Sequence, residues 1–529
     1  MVYRMLLSLF VLILLFPQSV YAQGGADFGE TALPLPVGGR VFELNASTIS
    51  AMQTAGMTWV RHFVWFRAGS DLTPPREFVE QAHQAGFKVL LTIRGAADEM
   101  EAFGDEYVPR FAAFAGEVAA LGADAIEVWY AQNIDREWPA GQINGANYVR
   151  LLAAAYDAIK TANPNTLVIS GAPVPGGFFG TAGCTDMGCN DDVYAQQMAD
   201  AGAASFADCI GVQYTDGAVS PALTSGDPRG DYPTYYFPTM IERAMAPFEG
   251  QGIPLCFTWL AYLSAEGYEA TWPDYLPWAR ETSVIEQAKW LRDAVLAAQA
   301  DGRVALLIVE AIDSPGPDAL SAGIGVIRAD GTCPACQTIG SLANLPEPSP
   351  GPVVMPGEEV TATINSAAPV AVFTLQPGDP SPISVSVDPA PGSELDPILI
   401  IYDSTGNLLA FNDDSHATTP GARVDQLPGD QPLTAVIYAF NEASTGDFIL
   451  RFGGLRFGTI AGTSNANVRS GPGTQFGIVT SASPGTDITI RGRSADGSWL
   501  AVTVGGVDGW IADFLVAGVE DIPSLPVLE

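Results

Sequence analysis

Positive charge is scarce in this chain. Its 529 residues carry 24 Lys and Arg against 59 Asp and Glu, a formal charge of −35 at pH 7. Binding to phosphate backbones or anionic lipid needs clustered cations, so neither is an expected partner. The acidity reads as a solubility feature of an exported protein. Histidine is scarcer still, with only His62, His83 and His416. They are too scattered for an imidazole zinc site, and no cofactor is expected. Long apolar runs are confined to the first residues, where Arg4 precedes a run from Leu6 to Phe16 and "SVYA" stands before Gln23. That is the pattern of a secretory signal peptide spanning 1–22, with an uncleaved anchor as the competing reading. The expectation is a secreted or cell-envelope protein with no transmembrane anchor after cleavage.

Six cysteines suit an oxidising compartment. "CTDMGC" sets Cys184 and Cys189 five apart, and "CPAC" sets Cys333 and Cys336 three apart; each pair is expected to be a local disulfide pinning a loop. A thioredoxin-like role for "CPAC" would need a helix N-terminus in a small redox domain, which the neighbourhood does not suggest. Cys209 and Cys256 lie in apolar runs and are expected to be buried thiols.

From Val41 to Leu345, β-branched runs alternate with helical periodicity. The strand candidates begin with "RVFEL" near Val41 and continue through "MTWVRHFVW", "FKVLLTI", "AIEVWY", "TLVISGA", "CIGVQY", "PLCFTWL" and "VALLIVEA". Eight such units predict a parallel (β/α)₈ TIM barrel over 26–345, with its site at the C-terminal strand ends. A Pro- and acid-rich linker occupies 346–357, and period-two patterning then predicts an all-β sandwich over 358–453.

The segment "LDPILIIYDSTGNLLAFNDDS" resembles bacterial pre-peptidase C-terminal domains. Asp396, Asp403, Asp413 and Asp414 there could gather calcium, or could simply be solvated turn acids, since no calcium-loop spacing is met. Residues 459–518, with "NVRSGPG" from Asn467, Trp499 and "GWI" from Gly509, resemble a small SH3-like β-barrel of the bacterial type. The resemblance implies contact with cell-wall glycan or peptide; a structural or protein-contact module is the alternative, and Trp499 and Trp510 fit either a core or a binding face.

The first domain resembles a secreted glycoside hydrolase of the superfamily with its acid/base Glu after the fourth strand and its nucleophile Glu on the seventh. Where relatives read Trp-Asn-Glu-Pro-Asn, this chain has Trp129, Tyr130, Ala131, Gln132 and Asn133. The resemblance therefore puts Ala131 at the acid/base position and Trp259, in "CFTWLAY", at the nucleophile position. Gln213 precedes Tyr214 where a His is usual. Retaining hydrolysis needs a proton donor and an attacking carboxylate about 5–5.5 Å apart. Neither a methyl nor an indole supplies one.

Glu310 stands on the eighth strand where relatives carry an aromatic residue, and with Glu137 it is the main candidate for displaced catalysis; Asp135, Asp216 and Asp313 are further ones. The competing reading makes Glu310 a pocket acid held by Arg61 or Arg67, and Glu127 is expected to orient its neighbours inside the barrel. Trp65, Trp129, Trp138, Tyr214, Trp259 and Tyr262 offer ring faces for sugars, although a barrel mouth needs filling too. The expected ligand-binding set is Trp129, Asn133, Trp138, Gln213, Tyr214, Trp259, Tyr262 and Glu310. Three readings stay open: a catalytically inactive exported protein binding polysaccharide or wall glycan through the cleft and the SH3-like module, an O-glycosyl hydrolase using displaced carboxylates, and a structural scaffold.

Overall fold

The computed structural model describes residues 26–528 apart from 269–270, 315–322, 346–348, 379–381, 414–420, 441–443, 455, 505–506, 520–521, 523–524 and 526. The signal-peptide expectation for 1–22, together with Asp414 and His416, lies outside the described residues. Eight strands form the first sheet: β1 (Val37–Arg40), β2 (Trp59–Trp65), β3 (Lys88–Arg94), β4 (Ala125–Val128), β5 (Leu167–Ser170), β6 (Ile210–Tyr214), β7 (Leu255–Leu260) and β8 (Val304–Val309). They pair in parallel in the order β5, β4, β3, β2, β1, β8, β7, β6. Ile169 pairs with Cys209, and the Ser170 N–H donates to the Cys209 carbonyl at 3.0 Å, which joins β5 to β6 and closes the ring. The fold is a (β/α)₈ barrel.

Local sequence accounts for these elements. From Val89 to Ile93 every residue of β3 is buried, as a parallel strand covered on both faces requires. Helix Gly145–Ala162 starts at Asn144, whose side chain accepts from the Ala146 N–H at 2.8 Å. Its buried Tyr148, Leu151, Leu152, Ala155 and Ile159 form one stripe. The first strand is "VGGR", upstream of the expected "RVFEL". A Cβ on Gly39 would come within 2.2 Å of Ile312 Cγ1, so the site demands the glycine that disguises the strand.

Trp59, Leu90, Ala125, Ile169, Cys209, Cys256, Leu306 and Ile308 fill the lower interior, where Phe28 packs with them and takes a 3.0 Å hydrogen bond from Trp59 Nε1 on its carbonyl. Cys209 and Cys256 are joined there as a disulfide with a Cα separation of 5.9 Å, correcting the expectation of two thiols. Neighbouring strands bring together what 47 residues separate in sequence. The other two pairs, Cys184–Cys189 and Cys333–Cys336, are bridged as expected. Cys333 does cap a helix, Pro334–Ser341, but that helix packs on barrel helix Val284–Asp301 and belongs to no small redox domain.

Two further sheets of five and four strands form the sandwich, and a seven-stranded sheet follows. Strand Ile383–Pro389 alternates buried Ile383, Val385 and Val387 with partly exposed Ser384 and Ser386. The sandwich docks on helix Val284–Asp301. Lys289 Nζ lies 3.1 Å from Asp396 and 3.7 Å from Asp413, and Arg292 reaches Asp413 at 2.7 Å. Asp403 accepts from the backbone N–H groups of Thr405 and Asn407 at 2.8 and 2.9 Å, closing a turn. Asp396 and Asp413 thus face cations and Asp403 caps a turn, and among the described residues no three such acids gather.

Candidate functional site

The strands carry a charged layer above the apolar floor. Arg61 of β2 is wholly buried, and its Nη2 lies 2.9 Å from Glu127 Oε2 while its Nη1 lies 3.3 Å from Glu310 Oε2. Arg61 Nε donates to Thr92 Oγ1 at 2.8 Å, and the Thr92 and Thr258 hydroxyls donate to the two oxygens of Glu127 at 2.5 and 2.6 Å. Glu127 thus orients its neighbours inside the barrel. Arg40, the last residue of β1, approaches Glu310 Oε1 at 3.2 Å. Buried charges persist only when paired and hydrogen-bonded, and this layer meets that condition. Burial raises the Glu310 carboxyl above its ordinary value, with Arg40 and Arg61 opposing the shift. Burial likewise lowers the Arg40 guanidinium.

Over this layer opens a cleft of about 510 Å³ walled by Arg40, Phe42, His62, Phe63, Trp65, Arg94, Tyr130, Trp259, Glu310, Ala311 and Ile324. Trp259 stacks on Tyr130 at 5.2 Å and 28°, and the Arg94 guanidinium lies 4.4 Å from the centre of the Trp65 ring. Glu310 is the one carboxylate among these lining residues, and each of its oxygens faces a guanidinium. The wall offers ring faces and cationic donors, and its described residues include no pair of free acids.

Residues 464–516 match the family model of the bacterial SH3 domain. No curated protein matches the chain. Among solved structures, a glucosidase from Croceicoccus marinus is 12% identical and covers 78% of this chain and 97% of its own, with a TM-score of 0.43. A GH128 (subgroup II) endo-beta-1,3-glucanase from Sorangium cellulosum is 16% identical, covering 58% and 98%, with a TM-score of 0.39. The pre-peptidase C-terminal domain of a collagenase from Bacillus anthracis is 14% identical over 20% of this chain and 96% of that one, with a TM-score of 0.17.

The structure brings few of the expected site residues to the cleft. Trp259 and Glu310 line it, as does Trp65. Trp129 and Trp138 do not: they are buried 5.1 Å apart in the core, with Phe111 5.5 Å from Trp129. Gly95 permits this, since a Cβ there would strike the Trp129 ring at 2.0 Å. Asn133 spends its side chain on backbone, donating to the Val174 and Cys189 carbonyls at 2.9 Å each and accepting from the Val174 N–H at 2.7 Å.

Gln213 donates to the Ala172 carbonyl at 2.7 Å, and buried Tyr214 donates to the Tyr235 carbonyl at 2.9 Å. Tyr262 is fully buried, its ring 5.5 Å from that of Tyr214. With Trp129, Asn133 and Trp138, these three make six expected ligand contacts that lie outside the cleft wall, because backbone and core claim them first. Ala131 is also fully buried and absent from the cleft wall.

Glu137 is buried and paired with Arg94 and with Arg136. Asp313 accepts from the Phe42 and Glu43 N–H groups at 2.8 and 2.9 Å. Asp216 is held by Thr234 at 3.2 Å, and burial pushes its carboxyl up. Asp135 is exposed. Arg67 pairs with Asp98 on the surface, leaving Arg61 and Arg40 as the partners of Glu310. Sequence reasoning missed Arg40, Arg94 and Tyr130 as wall residues. The signal was present, since Arg40 and Arg94 are the terminal residues of β1 and β3 and Tyr130 follows β4 by two.

Proposed function

We propose that the chain is an exported saccharide-binding protein of the cell envelope whose glycosidase-like barrel does not hydrolyse its ligand. One observation carries the reading: among the described residues that line the cleft the single carboxylate is Glu310, clamped between Arg40 and Arg61 and sharing the wall with the stacked rings of Tyr130 and Trp259. Hydrolysis requires an acid to protonate the leaving oxygen and a carboxylate to attack or to activate water. Losing the general acid alone forfeits about 10²–10⁴ in rate. Glu137, the other candidate acid, is tied to Arg94 and Arg136. Ring faces, by contrast, are what a sugar's apolar face requires.

The bacterial SH3 match at 464–516 supports a second contact with the envelope. In strand Trp499–Val504, Leu500 pairs with Ile511 on the buried side, while Trp499 and Trp510 share the opposite face, both half-buried. That face is suited to stacking on glycan.

The test is a panel of wall polysaccharides assayed for both binding and reducing-sugar release. Binding without release is expected, and Trp259→Ala weakens it about tenfold, roughly 1.4 kcal/mol. Sugar release at enzymatic speed that vanishes in Glu310→Gln would establish displaced catalysis instead.

A further inference from the structure

The charges on the cleft wall run against those of the whole chain. Acids outnumber bases 59 to 24 overall, yet among the described lining residues Arg40 and Arg94 stand against Glu310 alone, with His62 a polar neighbour whose imidazole burial holds below its ordinary pKa. Because Glu310 divides its oxygens between Arg40 and the buried Arg61, it leaves donor capacity on Arg40. Arg40 Nε is buried and makes no hydrogen bond. Arg94 gives Nε and Nη2 to Glu137, which leaves the rest of its fork uncommitted by that pair.

Both guanidiniums lie against rings, Arg40 at 3.2 Å from the centre of Phe42 and Arg94 at 4.4 and 5.3 Å from those of Trp65 and Tyr130. His62 stacks on Phe78 at 4.4 Å, and its Nδ1 donates to the Val41 carbonyl at 3.2 Å. A planar fork beside an aromatic platform matches a carboxylate mounted on a sugar ring better than it matches a neutral hydroxyl.

Resting on the saccharide-binding reading above, we infer that the cleft selects an acidic saccharide, with the carboxylate of a uronate-type residue at Arg40 and Arg94 and its ring against Tyr130, Trp259 and Trp65. Neutral sugars meet the same rings but bring no anion to the donors that Glu310 and Glu137 leave uncommitted.

The experiment uses the full chain and three probes: trigalacturonate, its methyl ester, and a neutral galactose trimer, followed by calorimetry and tryptophan fluorescence. The acid is expected to bind about tenfold or more tighter than the ester, and to weaken as salt rises. Arg40→Gln strips Glu310 of a partner and so endangers folding. Arg94→Lys keeps a cation against Glu137 and removes the fork, and Trp65→Ala removes a ring that is half exposed. Arg94→Lys should cut the preference for acid over ester, whereas Trp65→Ala should weaken both. Equal binding of acid and ester, or tighter binding of the neutral trimer, overturns the selectivity and leaves saccharide binding standing. Binding of none of the three overturns both.

Discussion

Ala131 carries a backbone conformation that alanine tolerates poorly. Its φ is 51°, in the left-handed region, it is wholly buried, and its N–H donates to the Ala172 carbonyl at 3.1 Å. A Cβ in that region costs about 1 kcal/mol. Ala131→Gly is therefore expected to leave stability unchanged or raise it by up to about 1 kcal/mol. Ala131→Glu forces a carboxylate into a fully buried position and is expected to cost about 3 kcal/mol or more without conferring hydrolysis. Thermal denaturation of the two variants, with a sugar-release assay on the second, checks both. Sequence singled out Ala131 only through a resemblance carried by its neighbours Trp129 and Asn133. Its burial was not legible there, because burial is set by the loop's path back to Ala172 and not by spacing.

At the scale of elements, β6 and β7 show what periodicity yields and what it hides. Their apolar runs, "CIGVQY" and "PLCFTWL", were readable as strands because both faces of a parallel strand are covered. The disulfide between them was not, since pairing depends on two distant segments becoming neighbours. Deleting it with Cys209→Ala and Cys256→Ala should lower stability by about 4 kcal/mol, the loop-closure entropy that a 47-residue separation releases to the unfolded chain. Denaturant titration of the oxidised protein and the double variant measures it. The cleft follows the same logic. Trp259 and Glu310 were visible as oddities in strands with a known pattern, whereas Arg40 closes a strand whose two glycines conceal it.

Across the whole molecule, the seam between barrel and sandwich is ionic as well as apolar. Arg292 is buried between Asp293 and Asp413, beside Lys289 and the ring of Phe440. Removing Arg292 takes the guanidinium from buried Asp293 and leaves Asp413 with Lys289 at 3.7 Å, so Arg292→Ala is expected to cost about 3–5 kcal/mol and to make the sandwich sensitive to proteolysis before the barrel. Combining it with Asp413→Ala should recover part of that loss. Limited proteolysis with denaturant titration of the wild type and both variants reads the outcome.

Helix Val284–Asp301 carries this seam and is also the connection between β7 and β8, on which Trp259 and Glu310 are mounted. Were the C-terminal module held to a fixed polymer, mechanical load on the chain would pass through the seam into that helix. A saccharide held in the cleft, as proposed above, would then lie in series with the tether, so drag on the molecule would be felt at that contact.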